Sequence, residues 1–294
     1  MSTARLITPA RQQALAEALS GRFPALLLEA ERIAASVAAG IHGRKRSGAG
    51  EHFWQYRRVQ PGDPASLIDW RASARTPHLL LREREWEAAQ TALLWLDHSA
   101  SFNWKSEHTL PTKRERGELL LLALAAVLLR GGERVGVLGS SHPPTTGRTM
   151  LARLCLEVQK PDEQEQALPP AGSYPRNARL VIFGDFLDPV PEIAARLRGL
   201  FGQGLRGHLV QILDPAEEAP PWQGRVAFWG LEGEGRFLAT RAEKLQAAYQ
   251  ERLAAHRAEL REMLTRMGWT ISTHRTDHRP ELALLTLHQT LGAM

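Results

Sequence analysis

A chain of 294 residues with 43% hydrophobic and 23% charged content has the composition of a globular protein, and the length for one large α/β unit plus a smaller appended region. The 37 Lys and Arg exceed the 32 Asp and Glu by five, a mild basic excess that demands neither nucleic acid nor an acidic partner. A single cysteine, Cys155, excludes an internal disulfide, and the longest apolar stretch, 119–129, is shorter than the roughly 20 residues that a membrane-spanning helix needs.

Glu17, Arg22, Glu29 and Arg32 interrupt every early apolar run, so neither a cleavable signal nor a membrane span is expected, and the chain reads as cytoplasmic. Residues 8–40 read as helix broken at Gly21 and Pro24, the second part carrying Leu27, Ile33 and Val37 and closing at Gly40. Arg44, Lys45 and Arg46 follow among turn-forming glycines and read as a solvated loop.

Residues 51–90 form a distinct charged stretch. Phe53–Val59 and His78–Glu85 are predicted strands, joined by a turn at Pro61, Gly62 and Asp63 and a helical piece around Ser66–Ser73. Trp54, Trp70 and Trp86 alternate with Arg57, Arg58, Arg71, Arg75, Arg82 and Arg84, while Asp63, Asp69, Glu83 and Glu85 supply the opposite sign. Interleaved Arg and Trp can stack on bases and neutralise phosphates. The carboxylates in the same stretch would repel phosphate, which favours an ion-paired, Arg-on-Trp platform over a nucleic-acid surface.

Leu93, Leu94, Trp95 and Leu96 suit a strand buried on both faces of a parallel sheet. The run ends at Asp97, and Asp97, Ser99 and Ser101 then offer oxygen side chains at every second position, where open α/β sheets place ligands. A carboxylate and two hydroxyls on one turn suit a small divalent cation such as Mg2+. The same residues are also ordinary turn and cap formers.

An apolar helix is predicted from Thr112 or Lys113 to Arg130, a strand over Arg134–Gly139 and a helix over Arg148–Val158 that buries Cys155. The polar loop between the last two places Thr145, Thr146 and Thr149 as candidate hydroxyl donors, each equally able to cap a helix. Residues 161–177 read as a Pro-rich acidic connector. Arg179–Gly184 is the clearest buried strand after the first and delivers a second strand-end carboxylate, Asp185. Asp188 and Pro189 open the next helix, with Asp188 as its N-cap.

Gly202, Gly204 and Gly207 have dinucleotide-binding spacing, but they follow a helix and precede the strand His208–Leu213, the reverse of what that fingerprint needs. An edge strand at Val226–Leu231, a long helix at Arg241–Met267, a strand at Trp269–His274 and a helix from Pro280 complete the chain. His274 and His278 flank a strand end and read as surface residues. Neither a zinc-spaced histidine pair, a nucleophile elbow nor a phosphate loop is found, so a metal-dependent hydrolase is the weakest alternative.

This alternation predicts a doubly wound, mostly parallel sheet with helices on both faces over 91–294, preceded by N-terminal helices and a basic loop (1–50) and a charged β insert (51–90). With Asp97, Ser99, Ser101 and Asp185 at strand ends, the pattern resembles the von Willebrand factor type A domain and its metal-ion-dependent adhesion site. RRVQPGDPASLIDWRASARTPHLLLREREWE, ILDPAEEAPPWQGRVAF and RMGWTISTHRTD resemble the bacterial family catalogued as domain of unknown function fifty-eight, over nearly the whole chain. That resemblance implies a type A-like domain acting beside a MoxR-type AAA+ ATPase in assembling or maturing other proteins. It also implies a Mg2+ site at Asp97, Ser99, Ser101 and Asp185, with Thr145, Thr146 and Thr149 as unassigned candidates for its threonine. The function expected is recognition without turnover: a non-enzymatic module that captures a partner's carboxylate through a cation. Arg57, Asp63, Asp69, Trp70, Arg71, Arg75 and Arg82 form the expected second contact surface.

Overall fold

Five of the expected strands pair into one parallel sheet in the computed structural model, which describes residues 24–38, 53–60, 68–84, 90–159, 166–230 and 235–293. Helix α1 covers residues 24–38 and is followed by β1 (Phe53–Arg58), the short α2 (Trp70–Ser73), β2 (Leu80–Arg84) and β3 (Thr91–Leu96). Next come α3 (Lys113–Arg130), β4 (Arg134–Val137), α4 (Arg148–Val158), β5 (Arg179–Gly184), α5 (Val190–Gly202), β6 (Arg206–Leu213) and α6 (Pro215–Glu218). The chain then forms β7 (Val226–Trp229), β8 (Arg236–Ala239), α7 (Glu243–Arg266), β9 (Thr270–Arg275) and α8 (Pro280–Ala293).

The main sheet has the order β4-β3-β5-β6-β9, with every neighbouring pair parallel. From β3 the chain steps outward to β4, then returns to the other side of β3 to add β5, β6 and β9. Such a reversal opens a crevice beyond the carboxyl ends of the two strands that flank it. Here those strands are β3 and β5, which end at Asp97 and Asp185.

Alternation along the strands divides the core in two. Leu94, Leu96, Val181, Phe183, Val210 and Ile212 pack in one cluster with residues of α1, α3, α4 and α8. Leu93, Trp95, Leu180, Ile182 and Leu209 pack in the other with residues of α5 and α7. Burial on both faces is why these strands read as continuous apolar runs. Gly117 lets α3 approach β3 closely: a Cβ there would lie 2.6 Å from Leu96 Cδ1 and 3.1 Å from Phe102 Cε1. Gly207 has a similar purpose, since a Cβ would meet the Trp269 ring at 2.0 Å. The dinucleotide-like spacing therefore contains a packing glycine. Cys155 is a buried free thiol, as expected.

Several expectations need correction. The N-cap of α5 is Pro189, whose side chain makes no capping hydrogen bond, rather than Asp188. Strand β7 is not an edge of the main sheet, because it pairs antiparallel with β8, a strand the sequence reading missed. His274 is buried on β9, not at the surface. The first part of the N-terminal helix and the cluster Arg44–Arg46 lie outside the described residues. Among the described residues, no helix is long and apolar enough to cross a membrane.

Candidate functional site

The end of β3 is stitched to β5 by a hydrogen bond from Asp97 N–H to Phe183 O at 2.8 Å. One carboxylate oxygen, Asp97 Oδ1, accepts from Ser99 N–H at 2.7 Å, the bond of an ordinary Asx turn. Turn chemistry accounts for that oxygen alone. Asp97 is 1% exposed, and its Oδ2 is buried without a hydrogen-bond partner. The hydroxyls of Ser99 and Ser101 lie 3.0 Å apart, and Ser101 Oγ donates to Asp185 Oδ2 at 3.2 Å. The two strand-end loops thus converge on one small buried volume.

A third participant was not foreseen. Lys113, the first residue of α3, is 1% exposed, and its ammonium donates to Asp185 Oδ2 at 2.8 Å and to Glu217 Oε1 at 2.6 Å. A cation at the first turn opposes the helix dipole, so the placement needs these carboxylates. Thr112 and Glu115 form a capping box that fixes the start of α3. Glu217 belongs to a second capping box on α6: its Oε2 accepts from Asp214 N–H at 2.8 Å, and Asp214 Oδ1 accepts from Ala216 N–H at 2.8 Å. Asp214 Oδ2 also takes Ser106 N–H at 2.9 Å, tying α6 to the loop before α3.

The electrostatics follow from burial. Asp97 is pushed up to about 8 by burial first and then by the Asp185 charge, against the opposing pull of its Ser99 hydrogen bonds and of Lys113. For Lys113, burial acts downward, but Asp185 and Glu217 outweigh it and hold the ammonium above its ordinary value. Burial raises Glu217, with Lys113 opposing. The Asp185 turn is also held in an unusual conformation. Phe186 is buried at φ 51°, a region a bulky residue enters only under constraint, and His256 Nε2 bonds its carbonyl at 2.7 Å. Gln211 Nε2 donates to Asp185 O at 2.9 Å.

Of the expected cation ligands, Asp97, Ser99, Ser101 and Asp185 are brought together, whereas Thr145 and Thr146 are not. Thr145 exchanges backbone hydrogen bonds with Val135, at 3.0 and 3.1 Å, and Val135 lies opposite Ala92 near the start of β3. Five residues of extended chain, about 16 Å, separate that level from Asp97. The loop after β4 folds back along its own strand, leaving Thr146 and Thr149 exposed near that edge.

In the charged insert, β1 and β2 pair antiparallel, with Arg57 opposite Leu81 and Arg82 opposite Tyr56. Asp69 caps α2, accepting from Ala72 N–H at 2.9 Å, and Ser73 Oγ accepts from Leu80 N–H at 2.8 Å. Trp70, Arg71 and Arg75 are exposed; Asp63 lies outside the described residues. The Arg-on-Trp stack seen among the described residues is elsewhere, Arg236 over Trp229 at 4.8 Å in the β7–β8 hairpin.

The family model described as "Protein of unknown function DUF58" matches residues 55–259, a span that includes Asp97, Lys113, Asp185 and Glu217. The chain belongs to this family. Its relatives include uncharacterized proteins Rv1480 of Mycobacterium tuberculosis and Mb1516 of Mycobacterium bovis, each 27% identical over 265 residues, covering 82% of this chain and 80% of the relative. Among solved structures, an aerotolerance-related membrane protein from Bacteroides fragilis aligns with a TM-score of 0.42 and 16% identity over 70% of this chain and 100% of its own. BatB from Bacteroides thetaiotaomicron aligns with a TM-score of 0.39 and 14% identity, over the same shares.

Sequence reasoning missed Lys113 and Glu217. A lysine at the first position of a largely buried helix, against the dipole, is the one signal that could have pointed to Lys113. Glu217 was masked by its local role at the third position of a capping box.

Proposed function

We propose that this chain is a von Willebrand factor type A-like protein-binding module, acting without turnover, whose ligand site is the buried rim between β3 and β5. The observation that carries the reading is Asp97 Oδ2, a buried carboxylate oxygen without a partner beside two hydroxyls and a second carboxylate. A polar atom left so has a cost, and buried polar groups without partners call for a ligand or a functional reason.

The donors fit a hard divalent cation. Asp97, Ser99, Ser101 and Asp185 offer only oxygen, which suits Mg2+. With Asp97 ionised, three carboxylates (Asp97, Asp185 and Glu217) face one ammonium (Lys113), an excess of two negative charges that one divalent ion balances. Such an ion would supply an open coordination position for a carboxylate from another protein. The chain's own part is to hold the oxygens in place: Ser99 N–H fixes Asp97, Gln211 and His256 fix the Asp185 turn, and Ser101 bridges the two loops.

The partner we propose is a MoxR-type AAA+ ATPase, with Trp70 and Arg71 on α2 and Arg75 just after it as a second contact surface. The test is co-purification of such an ATPase with the wild type in Mg2+, in chelator, and with Asp97→Ala. Capture that needs both Mg2+ and Asp97 supports the reading; capture that survives chelation and the substitution overturns it.

A further inference from the structure

The Lys113 ammonium stands 2.8 Å from Asp185 Oδ2, the atom that Ser101 Oγ also reaches. It is 1% exposed and cannot swing into water without opening the start of α3. Its other partner, Glu217 Oε1, lies at 2.6 Å on α6, whose N-cap Asp214 accepts from Ser106 N–H. A positive charge fixed against a carboxylate does what a bound cation does: it neutralises, it orients, and it repels any second cation brought to the same oxygen.

We propose that Lys113 is a built-in competitor of a divalent cation for Asp185, with Glu217 as the alternative seat for the displaced amine. This inference rests on the cation site proposed above and deepens it by naming the residue that sets its affinity. Held between two carboxylates, the amine can shift from sharing toward Glu217 alone by a small side-chain movement. Occupancy of the rim is then felt at α6, which Glu217 anchors from inside. The site consequently binds cations weakly in isolation, and a carboxylate from a partner, adding negative charge, favours retention of the ion.

The test is Mn2+ binding to the full chain, followed by the loss of the free-ion electron paramagnetic resonance signal, in wild type and four variants. Lys113→Met removes the competitor and should tighten binding at least tenfold. Glu217→Gln removes the alternative seat, leaves the amine wholly on Asp185 and should weaken binding by a similar factor. The double variant Lys113→Met with Glu217→Gln leaves one buried carboxylate, Asp185, without its counter-charge instead of two, which eases folding, and should still bind more tightly than wild type. Asp97→Ala should abolish binding. Opposite shifts for the two single variants, or tighter binding by the double variant where Lys113→Met does not fold, support the inference. Equal affinity in wild type, Glu217→Gln and the double variant overturns it while leaving the cation site intact, provided that Asp97→Ala still abolishes binding. Binding that is undetectable in every protein, or indifferent to Asp97→Ala, overturns the cation site and this inference together.

Discussion

Glu217 and Glu218 are neighbours on α6 and sit in opposite environments. The inner one meets Lys113, 1% exposed, at 2.6 Å, and its own side chain is 15% exposed. The outer one meets Arg257 at 2.9 Å and Arg275 at 3.5 Å, with all three side chains between 21% and 32% exposed. Arg257 reaches back to Gln211, which holds Asp185 O, so both clusters touch the same strand-end turn. Chemistry of one kind, carboxylate against cation, thus has two physical meanings. The inner knot is desolvated, its worth being set by what is lost when one member leaves; the outer knot is screened by water.

Removing the inner cation is the largest expected effect. Lys113→Ala leaves Asp185 and Glu217 buried without their counter-charge, and should cost about 3–5 kcal/mol of stability, read as the shift of the urea midpoint in chelator. A loss below about 1 kcal/mol would mean that water reaches the amine and that the two knots do not differ in kind.

How far this contrast was legible in the sequence depends on the range of each interaction. The strands β3, β5 and β6 were readable because burial on both faces writes itself as a continuous apolar run. Asp97, Ser99, Ser101 and Asp185 were readable because a polar group directly after such a run stands at the sheet rim whatever the rest of the chain does. Lys113 reaches Asp185 across 72 residues and Glu217 across 104, and locally only its place against the helix dipole marks that lysine. The threonine loop failed for a related reason: a polar loop after a strand can extend over the rim or turn back along the strand edge, and only the pairing of Thr145 with Val135 decides. Strand β8, largely exposed over Arg236–Ala239, lacked the burial that makes a strand visible.

Protons sharpen the comparison further, because buried groups titrate far from their ordinary values. His208, between the Thr270 and Ser272 hydroxyls, and His274 are each pushed down to about 4, chiefly by burial. The unfolded chain takes up these protons near 6.5 and the folded one resists until about 4. Stability from this source is therefore complete above 6.5 and is lost as pH falls from there toward 4, by up to about 3 kcal/mol per histidine. Urea midpoints at pH 7 and pH 5 check this, and His208→Asn should shrink the difference. On the outer side, Asp277 is held below its ordinary value, first by its hydrogen bonds from Arg275, and stays charged through that window.

Asp97 acts with the opposite sign. Raised from 3.8 to about 8, it binds a proton in the folded chain that the unfolded chain has released, so in chelator it removes stability as pH rises from 4 toward 8. Asp97→Asn should abolish that slope and raise stability at pH 8 by about 1–3 kcal/mol, the scale of an unsatisfied buried group. Saturating Mg2+ should stabilise the wild type and leave the variant unmoved. A variant that is no more stable than wild type at pH 8 in chelator would show that Asp97 is ionised there without cost, and the rim would lose its claim to need a cation.

The smallest effect belongs to the outer knot. Glu218→Gln removes a partner that Arg257 and Arg275 can both replace, the first with water and Gln211, the second with Asp277 at 2.6 Å. The expected loss is about 0.2–1 kcal/mol, shrinking further in 0.5 M salt, where exposed charges are screened over a few ångströms. The salt response is the sharper reading: Lys113→Ala should cost nearly the same in low and high salt because its field runs through protein. If the Glu218 change proved as costly as the Lys113 change and equally deaf to salt, α6 would be one buried ion network, and displacement of the amine at its inner side would be transmitted directly to Arg257 and helix α7.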